Sequence, residues 1–163
     1  MQRTYYVYEK PDYRFKFNKM PVWFQETFAD GNDRKGRITL HSSNDFDENW
    51  GANAKMEILW EPKDRLDFVH YKEVQKTIEE FRAIDFSVSR KENTWMRSHE
   101  FTYWYGSRRK RIGRNFYVER AIHGIFYCDQ TQRLFSIHTG IIEQLYENFE
   151  KLVKDAYMSI HCH

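Results

Sequence analysis

The sequence predicts an α+β fold in which an aromatic-rich antiparallel sheet is closed by a long amphipathic helix. Three observations predict it. Short segments of alternating apolar and polar residues fill most of the chain, separated by turn chemistry. From Gly140 onward the apolar period changes to three- and four-residue steps. Aromatic residues make up 18% of the chain, and rings bury much area per residue, so a sheet core can be built on few aliphatics.

Taken in order, Tyr5 to Glu9 and Tyr13 to Phe17 read as strands around Pro11-Asp12, and Met20-Pro21-Val22-Trp23 turns the chain into Phe24 to Phe28. Ala29-Asp30-Gly31-Asn32-Asp33 is turn chemistry. Arg37 to Ser43 and Lys55 to Trp60 alternate as half-buried strands, with the acidic stretch 43–49 between them. Glu61-Pro62 is expected to open a helix with Leu66, Val69, Val74, Ile78 and Phe81 as its apolar stripe. Phe86 to Ser89, Trp95 to Tyr105, Phe116 to Cys128 and Arg133 to Thr139 then read as hairpin-linked strands. The closing helix carries Ile142, Leu145, Tyr146, Phe149, Leu152, Val153, Ala156 and Ile160 on one side.

A chain of 163 residues with no repeat, linker or low-complexity stretch is expected to form a single domain over 1–163. The net charge of +2 supplies no global field toward nucleic acid or membrane. No apolar run is long enough to span a bilayer, so no membrane partner is expected. Met1-Gln2-Arg3-Thr4-Tyr5-Tyr6 lacks the apolar segment of a secretory signal, which predicts a cytoplasmic location.

Two hairpins set an expected register. With Gln130-Thr131 as a two-residue loop, Phe126 faces Phe135, Tyr127 faces Leu134 and His123 faces His138. A loop from Gly106 to Asn115 places Tyr105 near Phe116 and Tyr103 near Val118. One sheet face then collects Phe101, Tyr103, Tyr105, Phe116, Val118, Ile122, Phe126, Phe135 and Ile137 as core. The other carries Trp104, Tyr117, Glu119, His123, Ile125, Tyr127, Leu134 and His138, to be covered by the earlier helix or left open as a groove. Gly124 is a place where a bulge would swap the faces.

Two stretches carry a family resemblance. Phe15-Lys16-Phe17 followed by Met20-Pro21-Val22-Trp23 is similar to an "aromatic, then proline, then tryptophan" entry. Ile125-Phe126-Tyr127-Cys128, a polar turn, Arg133-Leu134-Phe135-Ser136-Ile137 and a terminal amphipathic helix follow in the same order. The chain thereby resembles the PsbP/Mog1-like fold family. The resemblance implies an α/β/α sandwich whose central antiparallel sheet of about six to eight strands is flanked by two main helices. It also implies a non-enzymatic binding or assembly role, as in photosystem subunits and a binder of a small GTPase.

Candidate sites follow from these faces. The amphipathic face nominates Trp104, Tyr117, Tyr127, His123 and His138 for a protein or small-ligand partner. Arg108, Arg109, Lys110, Arg111 and Arg114 form a basic hairpin loop, 107–115, with no acidic residue. It reads either as a solvated turn or as a nucleic-acid or anionic-surface contact flanked by stacking aromatics. A metal-dependent protein using His and Cys is the third reading. Adjacent residues in His161-Cys162-His163 are expected to diverge, and Cys128 has the opposite parity to His123, so no metal and no other cofactor is assigned. Cys128 and Cys162 are expected to remain unpaired, because a helix end is mobile and a reducing cytoplasm disfavours the bond. His99-Glu100 points to two faces and makes no acid/base pair, and no catalytic residue is assigned. Asp45, Asp47 and Glu48 lack calcium-loop spacing.

Overall fold

The computed structural model describes residues 4–42 and 54–163; the acidic stretch with Asp45, Asp47 and Glu48, and Ser43 of the expected fourth strand, lie outside them. In chain order the elements are β1 (Tyr5–Lys10), β2 (Phe15–Pro21), β3 (Phe24–Gly31), β4 (Gly36–Ser42), β5 (Ala54–Pro62), α1 (His70–Ala83), β6 (Ser87–Met96), β7 (His99–Ile112), β8 (Asn115–Cys128), β9 (Arg133–Ile142), α2 (Tyr146–Met158) and β10 (Ile160–His161). Seven strands form an antiparallel sheet in the order β3-β4-β5-β9-β8-β7-β6, and β1-β2-β10 form a second, three-stranded sheet.

The main core lies between the large sheet on one side and α2 with the small sheet on the other. Phe101, Ile122, Phe126, Phe135 and Ile137 meet Phe15, Phe17 and Met20 of β2 and Phe149, Val153, Ala156 and Tyr157 of α2. Phe126 and Phe135 stack at 4.9 Å with their planes 2° apart, as facing partners in the β8–β9 register. The Tyr157 hydroxyl donates to the Ile122 carbonyl at 2.7 Å and accepts from the Thr139 hydroxyl at 2.6 Å. That fastens α2 across two neighbouring strands. On the opposite face α1 covers a smaller cluster of Val74, Ile78, Trp104 and Ile125.

Several boundaries differ from expectation, each for a local reason. Glu61-Pro62 ends β5 instead of opening a helix: Pro62 still pairs with Arg133 of β9, and Leu66 is 92% exposed. A proline with no N–H is tolerated at a strand end. The stripe Val74, Ile78 and Phe81 does belong to α1, which starts at His70. Trp95 to Tyr105 is two strands, since Arg97 takes a left-handed conformation (φ 54°) and turns β6 into β7.

The stretch 106–115 is mostly strand. β7 and β8 stay paired to Ile112 and Asn115 around Gly113 (φ 59°) and Arg114. Tyr105 therefore faces Ile122 and Tyr103 faces Gly124, not Phe116 and Val118. The displacement is even, so each side chain keeps its expected face. Phe116, 57% exposed, and half-buried Val118 fall outside the core because the hairpin runs beyond it. Gly124 holds no bulge; a Cβ there would meet the Phe101 ring at 2.6 Å and Tyr157 at 3.1 Å, so its role is close approach.

β9 continues through Gly140 to Ile142, and α2 begins only at Tyr146 after a short 3-10 turn. Gly140 fits the strand because the Glu119 side chain lies over it, 2.7 Å from where a Cβ would stand. The Ser159 hydroxyl donates to the Ala156 carbonyl at 2.7 Å, the helix stops, and Ile160 pairs with Phe17. Register shifts interrupt β1 between Tyr6 and Tyr8, β3 between Glu26 and Phe28, and β6 between Val88 and Arg90.

Candidate functional site: a histidine-floored cleft under the first helix

Strand alternation places Trp104, His123 and His138 on the face of the large sheet that α1 covers. The expected facing of His123 and His138 holds, and their Nδ1 atoms lie 3.3 Å apart. Phe81 of α1 stacks on His138 (4.6 Å, 19°) and tilts against His123 at 4.9 Å. Trp104 stacks on His123 (5.1 Å, 20°) and meets Phe81 edge-on at 4.9 Å. The helix covers only part of the face. Beside it opens a cavity of about 490 Å³, lined among others by Trp60, Phe81, Phe86, Leu134, His123 and His138. A polar recess of about 230 Å³ shares Glu57, Arg108 and His138 with it and adds Lys55, Lys110 and Glu119.

Both histidines are held neutral. Burial pushes the His123 imidazole well below its ordinary range, and the neighbouring His138 adds to the effect. Burial brings His138 down to about 4, against the pull of Glu119 and Glu57, with Arg108 and Lys110 opposing those carboxylates. A neutral imidazole has one donor and one acceptor. When one Nδ1 donates to the other, the two Nε2 atoms are left as one donor and one acceptor. Among the described residues, His123 Nε2 is buried with no hydrogen-bond partner. Buried polar atoms are normally paired, so His123 Nε2, beside the cavity, keeps hydrogen-bonding capacity, as do Trp104 Nε1 and Arg108 Nε.

At the recess, charges are paired. Lys110 Nζ lies 2.8 Å and Arg108 Nη2 3.6 Å from Glu119 Oε2, and Lys55 Nζ meets Glu57 at 2.7 Å. Burial works to raise the Glu57 carboxyl, but Lys55 together with His138 and Arg37 holds the group below its usual range. Arg108 also lies over the Phe86 ring at 4.4 Å.

The nominated residues thus fall in different places. Trp104, His123 and His138 come together, and Tyr117 lines the recess. Tyr127 is apart from them: it stacks on Phe68 at 4.4 Å and donates to the Lys63 carbonyl at 2.7 Å. The basic residues do not share a loop. Arg108 and Lys110 turn to the cleft side, while Arg109 and Arg111 lie over exposed Phe116 at 5.0 and 5.8 Å, and Arg114 sits in the turn.

The cysteine expectation is overturned. Cys128 and Cys162 are joined as a disulfide, with Cα atoms 6.3 Å apart. The cause is β10, which anchors the segment after α2 against β2, so it is not a loose helix end.

No family model and no curated protein matches this chain. Solved structures do match. The solution structure of cyanobacterial PsbP (CyanoP) from Synechocystis sp. PCC 6803 superposes with a TM-score of 0.63 at 11% identity, over 100% of this chain and 95% of that one. The Saccharomyces cerevisiae Ran-binding protein Mog1p gives a TM-score of 0.64 at 11% identity, over 96% and 94%. The fold is PsbP/Mog1-like. LpqN of Mycobacterium tuberculosis, involved in cell envelope biogenesis, superposes at a TM-score of 0.57 and 11% identity, over 90% and 81%.

Within this PsbP/Mog1-like frame, the residues that carried the resemblance are core parts. Phe15 and Phe17 belong to β2, and Trp23 packs on Phe149 of α2 at 4.4 Å. Sequence reasoning missed Glu57, Phe81 and Arg108 as cleft residues. Glu57 faces His138 through the β5–β9 pairing, which no local signal announces. Among the described residues no helix is long and apolar enough to cross a membrane.

Proposed function

We propose that this protein is a non-catalytic binding module that holds a small ligand in the cleft beside α1. The observation that carries this is the buried, unpartnered His123 Nε2 at the wall of a cavity of about 490 Å³. Such a cavity is within the size range of small-molecule sites, which combine apolar walls with a few placed polar groups. The ligand that fits has an aromatic or aliphatic body against Phe81, Phe86 and Leu134, and a polar uncharged end that pairs with the two imidazoles. A charged end would meet two neutral histidines, with Arg108 already ion-paired to Glu119 at 3.6 Å, and would go undercompensated. A binding role agrees with the fold likeness to a Ran-binding protein, as analogy.

The test uses Ser136→Trp, which fills the cavity from β9. The purified chain is incubated with the small-molecule fraction of a native extract and examined by native mass spectrometry. The wild type is expected to retain one adduct that Ser136→Trp loses. No adduct on the wild type, or equal retention by both, overturns the reading.

A second reading rests on the tip of the β7–β8 hairpin, where exposed Phe116 lies beneath Arg109 and Arg111. A ring flanked by guanidiniums is a platform for a single-stranded base and its phosphate. Such binding falls steeply with salt. Recovery on single-stranded nucleic acid that is lost with Phe116→Ala and at high salt supports it; salt-insensitive recovery, or none, removes it.

A further inference from the structure

The segment after α2 brings four metal-ligating side chains to one point, away from the cleft. His99 opens β7, Cys128 closes β8, and Cys162 and His163 come after β10. Their ligand atoms all lie within 4.8 Å of one another; His99, Cys128 and Cys162 are buried and His163 is exposed. The expectation that adjacent residues diverge fails here, because β10 ends at His161 and strand alternation no longer governs Cys162 and His163. Cys162 Sγ lies 3.4 Å from His163 Nδ1 and 3.4 Å from His99 Nε2, and Cys128 Sγ lies 3.7 Å from His163 Nδ1.

These separations have chemical meaning. A tetrahedral zinc with Zn–S near 2.3 Å and Zn–N near 2.05 Å has nitrogen–sulfur edges of about 3.5 Å. The three nitrogen–sulfur distances bracket that value. The sulfur–sulfur edge of such a tetrahedron is about 3.8 Å, and here it is occupied by the covalent bond between Cys128 and Cys162. The scaffold is held from outside the cluster. The Arg133 guanidinium is buried and donates to the Cys162 carbonyl at 2.8 Å and to the Arg14 carbonyl at 2.7 Å. That fixes the main chain beside both sulfurs whether or not they are bonded.

We propose that His99, Cys128, Cys162 and His163 form a redox-gated Cys2His2 site that binds one zinc ion when the disulfide is reduced. A dithiol donates two electrons and two protons: the Cys128–Cys162 bond breaks, two thiols form, and the dithiol becomes a disulfide. Zinc then binds both sulfurs as thiolates with two neutral imidazoles, releasing the two protons. A two-electron thiol oxidant that re-forms the bond takes the two sulfurs from the metal and ejects it. Bonded sulfurs stand about 2 Å apart in any disulfide, so reaching the tetrahedral edge takes a parting of less than about 2 Å. The exchange therefore leaves the fold in place. A reducing compartment, as the sequence predicts, holds the metal-bound form; an oxidising one holds the disulfide.

The experiment uses the full chain without an affinity tag, reduced with a phosphine, which does not compete as a thiol ligand, and titrated with cobalt(II) and then zinc. Reduced protein is expected to take up one cobalt per chain with the strong visible absorption of a tetrahedral thiolate complex, bleached by one zinc. Oxidised protein is expected to show neither. Because His163 is exposed, His163→Ala keeps the fold; it should weaken zinc by more than about 100-fold, since outer-shell partners alone are worth about 10- to 100-fold. Cys128→Ser tests the thiolate arm in parallel. The proposal is overturned if the reduced chain, shown folded by circular dichroism, takes up no tetrahedral cobalt. It is equally overturned if the oxidised chain or His163→Ala binds as the reduced wild type does.

Discussion

His138 carries a measurable pH signature. Its unfolded form takes up a proton near pH 6.5, whereas the folded form stays neutral down to about 4. The unfolded state therefore binds more protons in that window, so stability is full above about pH 6.5 and is lost as pH falls toward 4. Between about pH 7.5 and 5 the loss amounts to at most about 2 kcal/mol from this group, less to the degree that His138 opens onto the cavity. His123 adds a loss of the same sign. Urea unfolding at the two pH values should show a smaller difference for His138→Gln than for the wild type. Arg133 is the other decisive residue. It is 1% exposed and its guanidinium donates to Thr131 and to the carbonyls of Tyr13, Asp33, Arg14 and Cys162. Arg133→Met leaves four carbonyls unserved and should cost on the order of 3 kcal/mol by the same assay. The sequence marks Arg133 only as a strand residue after a turn; its carbonyl partners come from segments far away in the chain, and no local pattern encodes that.

At the scale of elements, β8 is the strand on which both faces depend. Phe101 and Tyr157 both crowd the space above Gly124. Gly124→Val should destabilise by about 1–3 kcal/mol through overpacking, read as a lowered urea midpoint with an unchanged slope. The β8–β9 register was legible because a turn centred on Gln130-Thr131 and the aromatic pairs agree on it, although the turn itself spans four residues, Asp129 to Gln132, with Gln132 left-handed (φ 50°). The β7–β8 register was less so, because Gly106 resembles a turn residue. It serves close packing instead: a Cβ would meet Trp104 at 2.9 Å. The faces survived the error since parity did. The start of α1 was misplaced because Pro62 suits a first helical turn and a strand end equally, and only the pairing with Arg133 decides between them. The cleft was half visible: its histidine floor follows from register, but the Phe81 wall and Glu57 depend on how α1 and β5 dock.

For the whole molecule, the disulfide closes α2 and the small sheet onto the large one across 34 residues. A cross-link of that span contributes roughly 3–4 kcal/mol by restricting the unfolded chain. Reduction under a chelator should lower the urea midpoint accordingly, and added zinc should restore part of it; a midpoint insensitive to reduction would mean that packing alone closes the sandwich.

The interrupted strands have a consequence of their own. Among the described residues, β3 and β6 border the large sheet and β1 and β10 the small one. At β3 and β6 the extra residue of the shift lies on the margin itself, at β1 it lies on the partner β2, and β10 is only two residues long. An incoming strand of another copy needs an unbroken row of free amides and carbonyls, and neither margin of the large sheet offers one. The irregularities that look like flaws in pairing thereby guard a ring-rich chain against growing into fibrils, and straightening one of them is the change most apt to make it aggregate.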